Sequence, residues 1–178
     1  QDKTVNIHIK LDTGMNRLGV LPENLLALTE KISSLPNLKI EALSTHFSSA
    51  DDEDLTITNQ QIELFKKALN ELKKTGVIPP LTHLANTSAL FRFTESHSKM
   101  VRPGLILYGA LPSPILNPVV QNFCATESLE NFEAVMQWKS RIISLKSVQK
   151  GQALSYSRKY FTQKDSRIAT LPIGYADG

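Results

Sequence analysis

Between residues 5 and 11 apolar and polar side chains alternate strictly, with Val5, Ile7, Ile9 and Leu11 on one side and Asn6, His8 and Lys10 on the other. Period-two alternation predicts a strand with one buried and one polar face. After Pro22 the period changes, and Leu25, Leu28, Ile32 and Leu35 recur at helical spacing before residues 38–46 return to a strand pattern. The order then repeats. Thr58 with Gln61 resembles a capping box, Ile62, Phe65, Leu69 and Leu72 form an apolar stripe, and Lys73, Lys74 and Gly76 make a helix end that Pro79-Pro80 seals. Residues 81–85 and 100–102 are the next strand candidates, each followed by a loop of small residues. Alternating strands and helices imply a parallel sheet, and four such strands are half of an eight-stranded barrel. Residues 111–118 carry three prolines and read as a linker. Residues 135–148 and 167–173 then read as long strands, with a turn at Lys150-Gly151, so the C-terminal part is a β domain.

Composition narrows the function classes. The net charge of +3 comes from scattered lysines and arginines without a basic block, which points away from a nucleic-acid face or a basic membrane helix. No apolar run reaches membrane-spanning length. Cys124 is the only cysteine, so an internal disulfide is excluded, a reducing compartment fits, and packing is its expected role. His8, His46, His83 and His97 lie in different segments without tight ligand spacing, so no metal site is expected. The start Gln1-Asp2-Lys3-Thr4 has neither an initiator Met nor a signal-peptide pattern, and the final Gly-Tyr-Ala-Asp-Gly is a turn that expects continuation. Both suggest an internal piece of a longer chain.

Polar residues collect at the C-terminal ends of the expected strands: Lys10, Asp12 and Arg17, then His46, then His83, Asn86 and Thr87, then Arg102 and Gly104. In a barrel those ends form the active-site face. The strings His8-Ile-Lys-Leu-Asp-Thr-Gly-Met-Asn-Arg-Leu-Gly19, Thr45-His-Phe-Ser-Ser-Ala-Asp51, His83-Leu-Ala-Asn-Thr87, Val101-Arg-Pro-Gly104, Ser155-Tyr156 and Ile173-Gly-Tyr-Ala-Asp-Gly178 resemble the motifs of the alanine racemase family, in that family's order. The resemblance implies an α/β fold in which residues 1–115 are the second half of a (β/α)8 TIM barrel binding pyridoxal 5'-phosphate. Residues 116–178 would be the truncated start of a C-terminal β domain.

It also implies roles. Thr87 and the amides of Gly104 and Leu105 would hold the cofactor phosphate, with Asn86 beside them. Arg102 would face the pyridine nitrogen, supported by His83. A guanidinium donates to that nitrogen without protonating it, so the ring is a weaker electron sink and racemisation is favoured over transamination. His46 would lie against the cofactor. Arg17 would bond the cofactor's phenolic oxygen and, with Met15, meet the substrate carboxylate. Lys10 resembles a lysine that many family members carry as a carbamate, which would turn a cation that repels Arg17 into an anion that orients it. Tyr156 matches the phenol that exchanges a proton with L-alanine in the partner subunit's site, and Tyr175 a tyrosine at the substrate entrance. Read singly, each of these residues is equally a cap, a turn glycine, a core histidine or a strand tyrosine.

The activity so implied is interconversion of L- and D-alanine through a pyridoxal-phosphate aldimine by two-base proton transfer. The resemblance further implies a cytoplasmic homodimer with shared active sites that supplies D-alanine for peptidoglycan. Two departures stand out: Thr87 replaces the usual serine, and Ser157 stands where glycine commonly follows the catalytic tyrosine. The family's cofactor lysine, in a motif of the type Lys-Ala-Asn-Ala-Tyr-Gly, has no match here, so this piece alone is expected to be inactive. Rival readings are a racemase of broader amino-acid specificity and a non-catalytic cofactor-binding barrel. Tyr156 and the β domain argue against the latter.

Overall fold

The computed structural model describes residues 3–177; the start Gln1-Asp2 and Gly178, the last residue of the closing turn motif, lie outside them. The chain divides into two compact units, Gln1–Val135 and Met136–Gly178. Among the described residues no helix is long and apolar enough to cross a membrane.

In the first unit β1 (Val5–Lys10), β2 (Leu38–Ser44) and β3 (Leu81–His83) form a parallel sheet in that order. The crossovers are α1 (Leu25–Ser33), entered through a 3-10 turn at Pro22–Asn24, and α2 (Thr56–Lys74). The alternation in β1 has its expected consequence: Ile9 and Leu11 join Leu43 against Leu25, Ile32, Ile62, Phe65 and Leu72 in one core. Each such side chain taken fully out of water contributes about 1.5–3 kcal/mol. The polar side of the strand, with Asn6, His8 and Lys10, faces away from those helices. Helix α2 ends as expected, with the Gly76 amide donating to the Lys73 carbonyl (3.0 Å) at φ +85°.

Four local expectations need correction. Thr58 and Gln61 form no capping box, because α2 begins two residues earlier and its first turn is held by Asp54, whose carboxylate accepts from the Thr56 amide at 2.8 Å. Thr58 and Gln61 are instead buried within the helix. Residues 100–102 are not a strand: Arg102 donates one backbone bond to Ala85 (2.9 Å), and Pro103, which has no N–H, ends the pairing. The proline-rich stretch 111–118 is ordered, not a bare linker. Pro114–Leu116 is a 3-10 turn leading into α3 (Thr87–Arg92)'s neighbour, α4 (Asn117–Thr126), and Leu116, Val120 and Cys124 bury together there. Of residues 135–148, only β4 (Ser144–Val148) is a strand.

In the second unit β4 pairs antiparallel with β7 (Ser166–Thr170), Ser144 opposite Thr170 and Val148 opposite Ser166. A small pair, β5 (Ala153–Leu154) and β6 (Tyr160–Phe161), is inserted between them. The buried Thr162 hydroxyl donates to the Gln149 carbonyl (2.6 Å) and accepts from the Gln152 amide (3.0 Å), which fixes the turn around Lys150-Gly151.

The loop after β1 is closed by backbone. The Val20 amide donates to the Lys10 carbonyl and the Asp12 amide to the Val20 carbonyl, both at 2.8 Å. Gly19 makes this approach possible: its φ is +136°, and a Cβ there would stand 2.8 Å from the Asp12 amide nitrogen. Gly19→Ala should therefore destabilise the protein by about 2–3 kcal/mol through combined strain and backbone collision. Denaturant unfolding checks this, and an unchanged midpoint would show that the loop closes without the glycine.

Candidate active site

Parallel pairing brings the C-terminal ends of β1, β2 and β3 level, with Lys10 opposite Ser44 and Ser44 opposite His83. Each following loop starts at that level, so the candidate residues gather at one end of the sheet.

The β1 loop carries Met15 and Arg17 and is shaped by Asp12. That buried carboxylate accepts the amides of Gly14 (2.9 Å) and Asn16 (3.1 Å). Its pKa lies below the ordinary carboxylate value, chiefly through the Gly14 amide, with Asn16, Met15 and the charge of Lys10 adding to the effect and burial opposing it. Arg17 is exposed, and Lys10 and Met15 are half-buried. Among the described residues neither Lys10 nor Arg17 has an ion-pair partner.

The β1 and β2 loops are joined by a side chain that the sequence reading had used otherwise. Gln61, buried on α2, donates its amide N–H groups to the Thr13 hydroxyl (3.1 Å) and the His46 carbonyl (3.2 Å), while its oxygen accepts from the Ser48 amide (3.0 Å). The Thr13 and Thr45 hydroxyls bond each other at 2.7 Å. The available signal was positional: Gln61 lies on the stripe that continues as Phe65, Ala68 and Leu72, and a polar residue on a buried stripe must find partners. His46 follows Thr45 and is half-buried. Its pKa is lowered, first by burial and then by the charges of Arg102, Lys10 and Arg17. Three cations therefore act on one imidazole, a field suited to an anionic ligand.

His83 closes β3 and is buried; its pKa is pushed down to about 4 by burial, with the Arg102 charge and His8 adding to the shift. Its Nδ1 meets Arg102 Nη1, and its Nε2 lies 3.1 Å from His8 Nδ1. Arg102 Nη2 donates to the carbonyls of Thr45 (2.7 Å) and Leu84 (3.0 Å). Burial holds the guanidinium below its ordinary value. Of its five N–H groups three are used, so Nε and one Nη1 hydrogen have no partner among the described residues.

Asn86, not Thr87, caps α3, its side chain accepting from the Ala89 amide at 2.9 Å. Thr87 is freed for another contact: its hydroxyl accepts from the Gly104 amide at 2.9 Å, joining the α3 start to the 3-10 turn Leu105–Tyr108. The amides of Thr87, Ser88 and Leu105 open their turns and have no intrahelical acceptor. A Cβ at Gly104 would stand 3.8 Å from the Thr87 oxygen and fill the space in front of it. Unpaired amides, a hydroxyl and an open glycine suit a phosphate, and the two uncommitted guanidinium hydrogens suit a ring nitrogen, so these residues fit pyridoxal phosphate.

In the second unit Tyr156 and Tyr175 are fully exposed. Tyr156 sits among residues with left-handed backbone, Ser155 (φ +60°), Ser157 (φ +57°) and Arg158 (φ +48°). The Ser157 conformation is one in which glycine is unstrained, which explains why glycine suits that position.

A family model described as the alanine racemase N-terminal domain matches residues 1–112, and one described as the alanine racemase C-terminal domain matches residues 135–178. The chain is 42% identical over 172 residues to the alanine racemase of Halothermothrix orenii, covering 97% of this chain and 43% of that protein. It is 40% identical over 178 residues to that of Clostridium tetani, with 99% and 44% covered. Among solved structures, alanine racemase from Bacillus anthracis with bound L-Ala-P superposes with a TM-score of 0.79 at 32% identity, covering 98% of this chain and 43% of that one. The enzyme from D-cycloserine-producing Streptomyces lavendulae gives 0.80 at 30%, covering 99% and 45%. The chain thus spans less than half the length of these relatives.

The histidine environment predicts a pH signature. Because folding lowers the His83 pKa from 6.5 to about 4, the unfolded chain binds more protons between those values, and stability should fall as pH drops through that window. His83→Gln should flatten the slope, and thermal melts of the full-length protein at stepped pH measure it. Equal slopes in parent and variant would contradict the neutral, buried imidazole.

Proposed function

The chain belongs to the alanine racemase family, and from that premise we propose that the protein it comes from interconverts L- and D-alanine with pyridoxal 5'-phosphate. Its fold is part of a TIM barrel followed by part of the family's C-terminal β domain. The observation that carries the reading is Arg102: a half-buried guanidinium held by neutral acceptors, with, among the described residues, no carboxylate against it and two hydrogens left to donate.

In this reading Thr87 and the Leu105 amide hold the phosphate, and Gly104, whose own amide is committed to the Thr87 hydroxyl, leaves room for it by lacking a Cβ. Asn86 fixes the turn that presents them, and Arg102, steadied by His83, donates to the ring nitrogen. When bound, the cofactor makes the alanine α-proton acidic by drawing electron density from that carbon. The chain's own residues do the rest. Arg17 and Met15 receive the substrate carboxylate, and Lys10, as a carbamate, orients Arg17. His46 packs against the cofactor and, kept neutral, adds no charge there. The Tyr156 phenol of one subunit moves the proton on one side of the α-carbon in its neighbour's site, with Tyr175 at the entrance. A shared site requires a homodimer, and D-alanine made in the cytoplasm would serve peptidoglycan. The domain boundary is proposed at residues 115–116. A broader amino-acid substrate range is the second reading.

Full-length Arg102→Glu should favour a protonated ring nitrogen and shift turnover towards transamination. The ratio of pyruvate formed to alanine racemised is the measurement, and a ratio equal to the parent's would place Arg102 elsewhere. Tyr156→Phe, mixed with a full-length variant lacking the cofactor-bonding lysine, should restore roughly a quarter of parental racemisation after statistical subunit exchange, because one site in each heterodimer is intact. No recovery despite confirmed exchange would mean that Tyr156 acts within its own subunit or is not the base.

A further inference from the structure

The pairing of β1 with β2 is irregular at one point. Ile7 lies opposite Ile40 and His8 opposite Ala42, which leaves Glu41 as an extra residue in the ladder. Bulges are uncommon between parallel strands and serve to re-aim a side chain. Here the re-aimed carboxylate meets the polar face of β1: Glu41 Oε2 lies 3.0 Å from His8 Nε2, and Oε1 accepts from the Asn6 side-chain Nδ2 at 3.2 Å. His8 Nδ1 in turn lies 3.1 Å from His83 Nε2, and His83 Nδ1 meets Arg102. Four side chains from three strands and the loop before Gly104 thus form one chain.

The donor inventory orders every proton in it. A guanidinium only donates, so His83 Nδ1 must be the acceptor and His83 carries its hydrogen on Nε2. That hydrogen points to His8 Nδ1, which must accept, so His8 also carries its hydrogen on Nε2. The His8 hydrogen ends on the Glu41 carboxylate, which only accepts when ionised. No other arrangement of neutral rings satisfies all three contacts. A proton added at His8 Nδ1 or His83 Nδ1 would set donor against donor.

We propose that Glu41 and His8 are positioning residues for Arg102: the bulge presents the Glu41 carboxylate to His8, and the resulting chain holds both imidazoles as neutral Nε2–H tautomers, so that His83 offers Arg102 a lone pair. His8 and Glu41 are half-exposed in this chain, so their pair adds little stability, and its effect is orientation. The helices cover the opposite face of the sheet, so in a closed barrel this chain runs down the interior from the active-site end. The catalytic consequence rests on the reading that Arg102 faces the cofactor ring; the tautomers do not.

The test uses the full-length protein labelled with 15N-histidine. Long-range nitrogen–proton correlation at neutral pH reads each ring's tautomer, and His8→Asn and His83→Asn assign the signals. Both rings should be neutral with the hydrogen on Nε2, with and without added pyridoxal phosphate. Either ring protonated on Nδ1 would overturn the proposal. Glu41→Ala should then expose the His8 Nε2–H to rapid exchange and lower kcat for racemisation about fivefold, the rate equivalent of one hydrogen bond, with KM for alanine unchanged. Glu41→Gln, whose carbonyl still accepts, should recover most of the loss. An equal kcat loss in both variants, or none in either, would remove Glu41 from the chain. Nε2–H tautomers in a protein that racemises nothing would uphold the chain and sink the functional reading instead.

Discussion

A guanidinium taken partly out of water needs acceptors, and the site is organised around meeting three of the Arg102 hydrogens, among the described residues, without a carboxylate. A carboxylate in contact would quench the charge and compete for its donors. Neutral acceptors leave it a cation with directed hydrogens: the carbonyl of Thr45 from the β2 end, the carbonyl of Leu84 from the β3 end, and the His83 imidazole. The nearest carboxylate in its network, Glu41, is two imidazoles away. The Arg102 contact needs a lone pair on His83 Nδ1, and burial with the neighbouring positive charge favours the same neutral state.

The remaining groups are positioned by backbone closure and one buried amide. The β1 loop is held from within by Asp12 and Gly19 and from outside by Gln61, which also grips the β2 loop through the His46 carbonyl and Ser48. Because Gln61 satisfies both ends of its amide in the core, it couples the segment bearing Arg17 to the segment bearing His46. This is the usual division of labour in a barrel, with rigid strands and helices setting level and direction and loops carrying the chemistry. The second unit is built more lightly: two-stranded pairs, few buried side chains, and an exposed Tyr156 on a strained turn. Tyr156, exposed between residues of left-handed backbone, makes no contribution to its own unit's core.

Much of this was legible along the chain. Alternation in residues 5–11 and the 3.6 periods of α1 and α2 determined the strand–helix order and which faces are buried, because burial against a neighbouring layer acts on every residue of the pattern at once. The clustering of Lys10, His46 and His83 at or just beyond strand ends was readable for the same reason, since in parallel strands the level follows from the order; Arg102 joins them from a loop that makes one backbone bond to Ala85. The errors fell where one hydrogen bond or one missing N–H decides. Asp54, one residue before the N-cap, accepts from the first amide of α2 where Thr58 was expected to cap, and Asn86 rather than Thr87 caps α3. Pro103 ended the pairing of 100–102, and the prolines near 114 opened a helix instead of marking a linker.

What the sequence by itself determined, then, was the inventory: which residue types stand at which strand ends, and, through six motifs in order, the family to which they belong. Only the tertiary structure decided how the inventory is wired. The Glu41 bulge is a one-residue slip between strands more than thirty positions apart, and no periodicity within either strand encodes it. Likewise Gln61 reads locally as part of a helix start, and only the packing of α2 beneath two loops turns it into their common partner. Patterns report the average environment of a face. The partner of a single polar atom depends on distances between distant segments, and these exist only once the chain has folded.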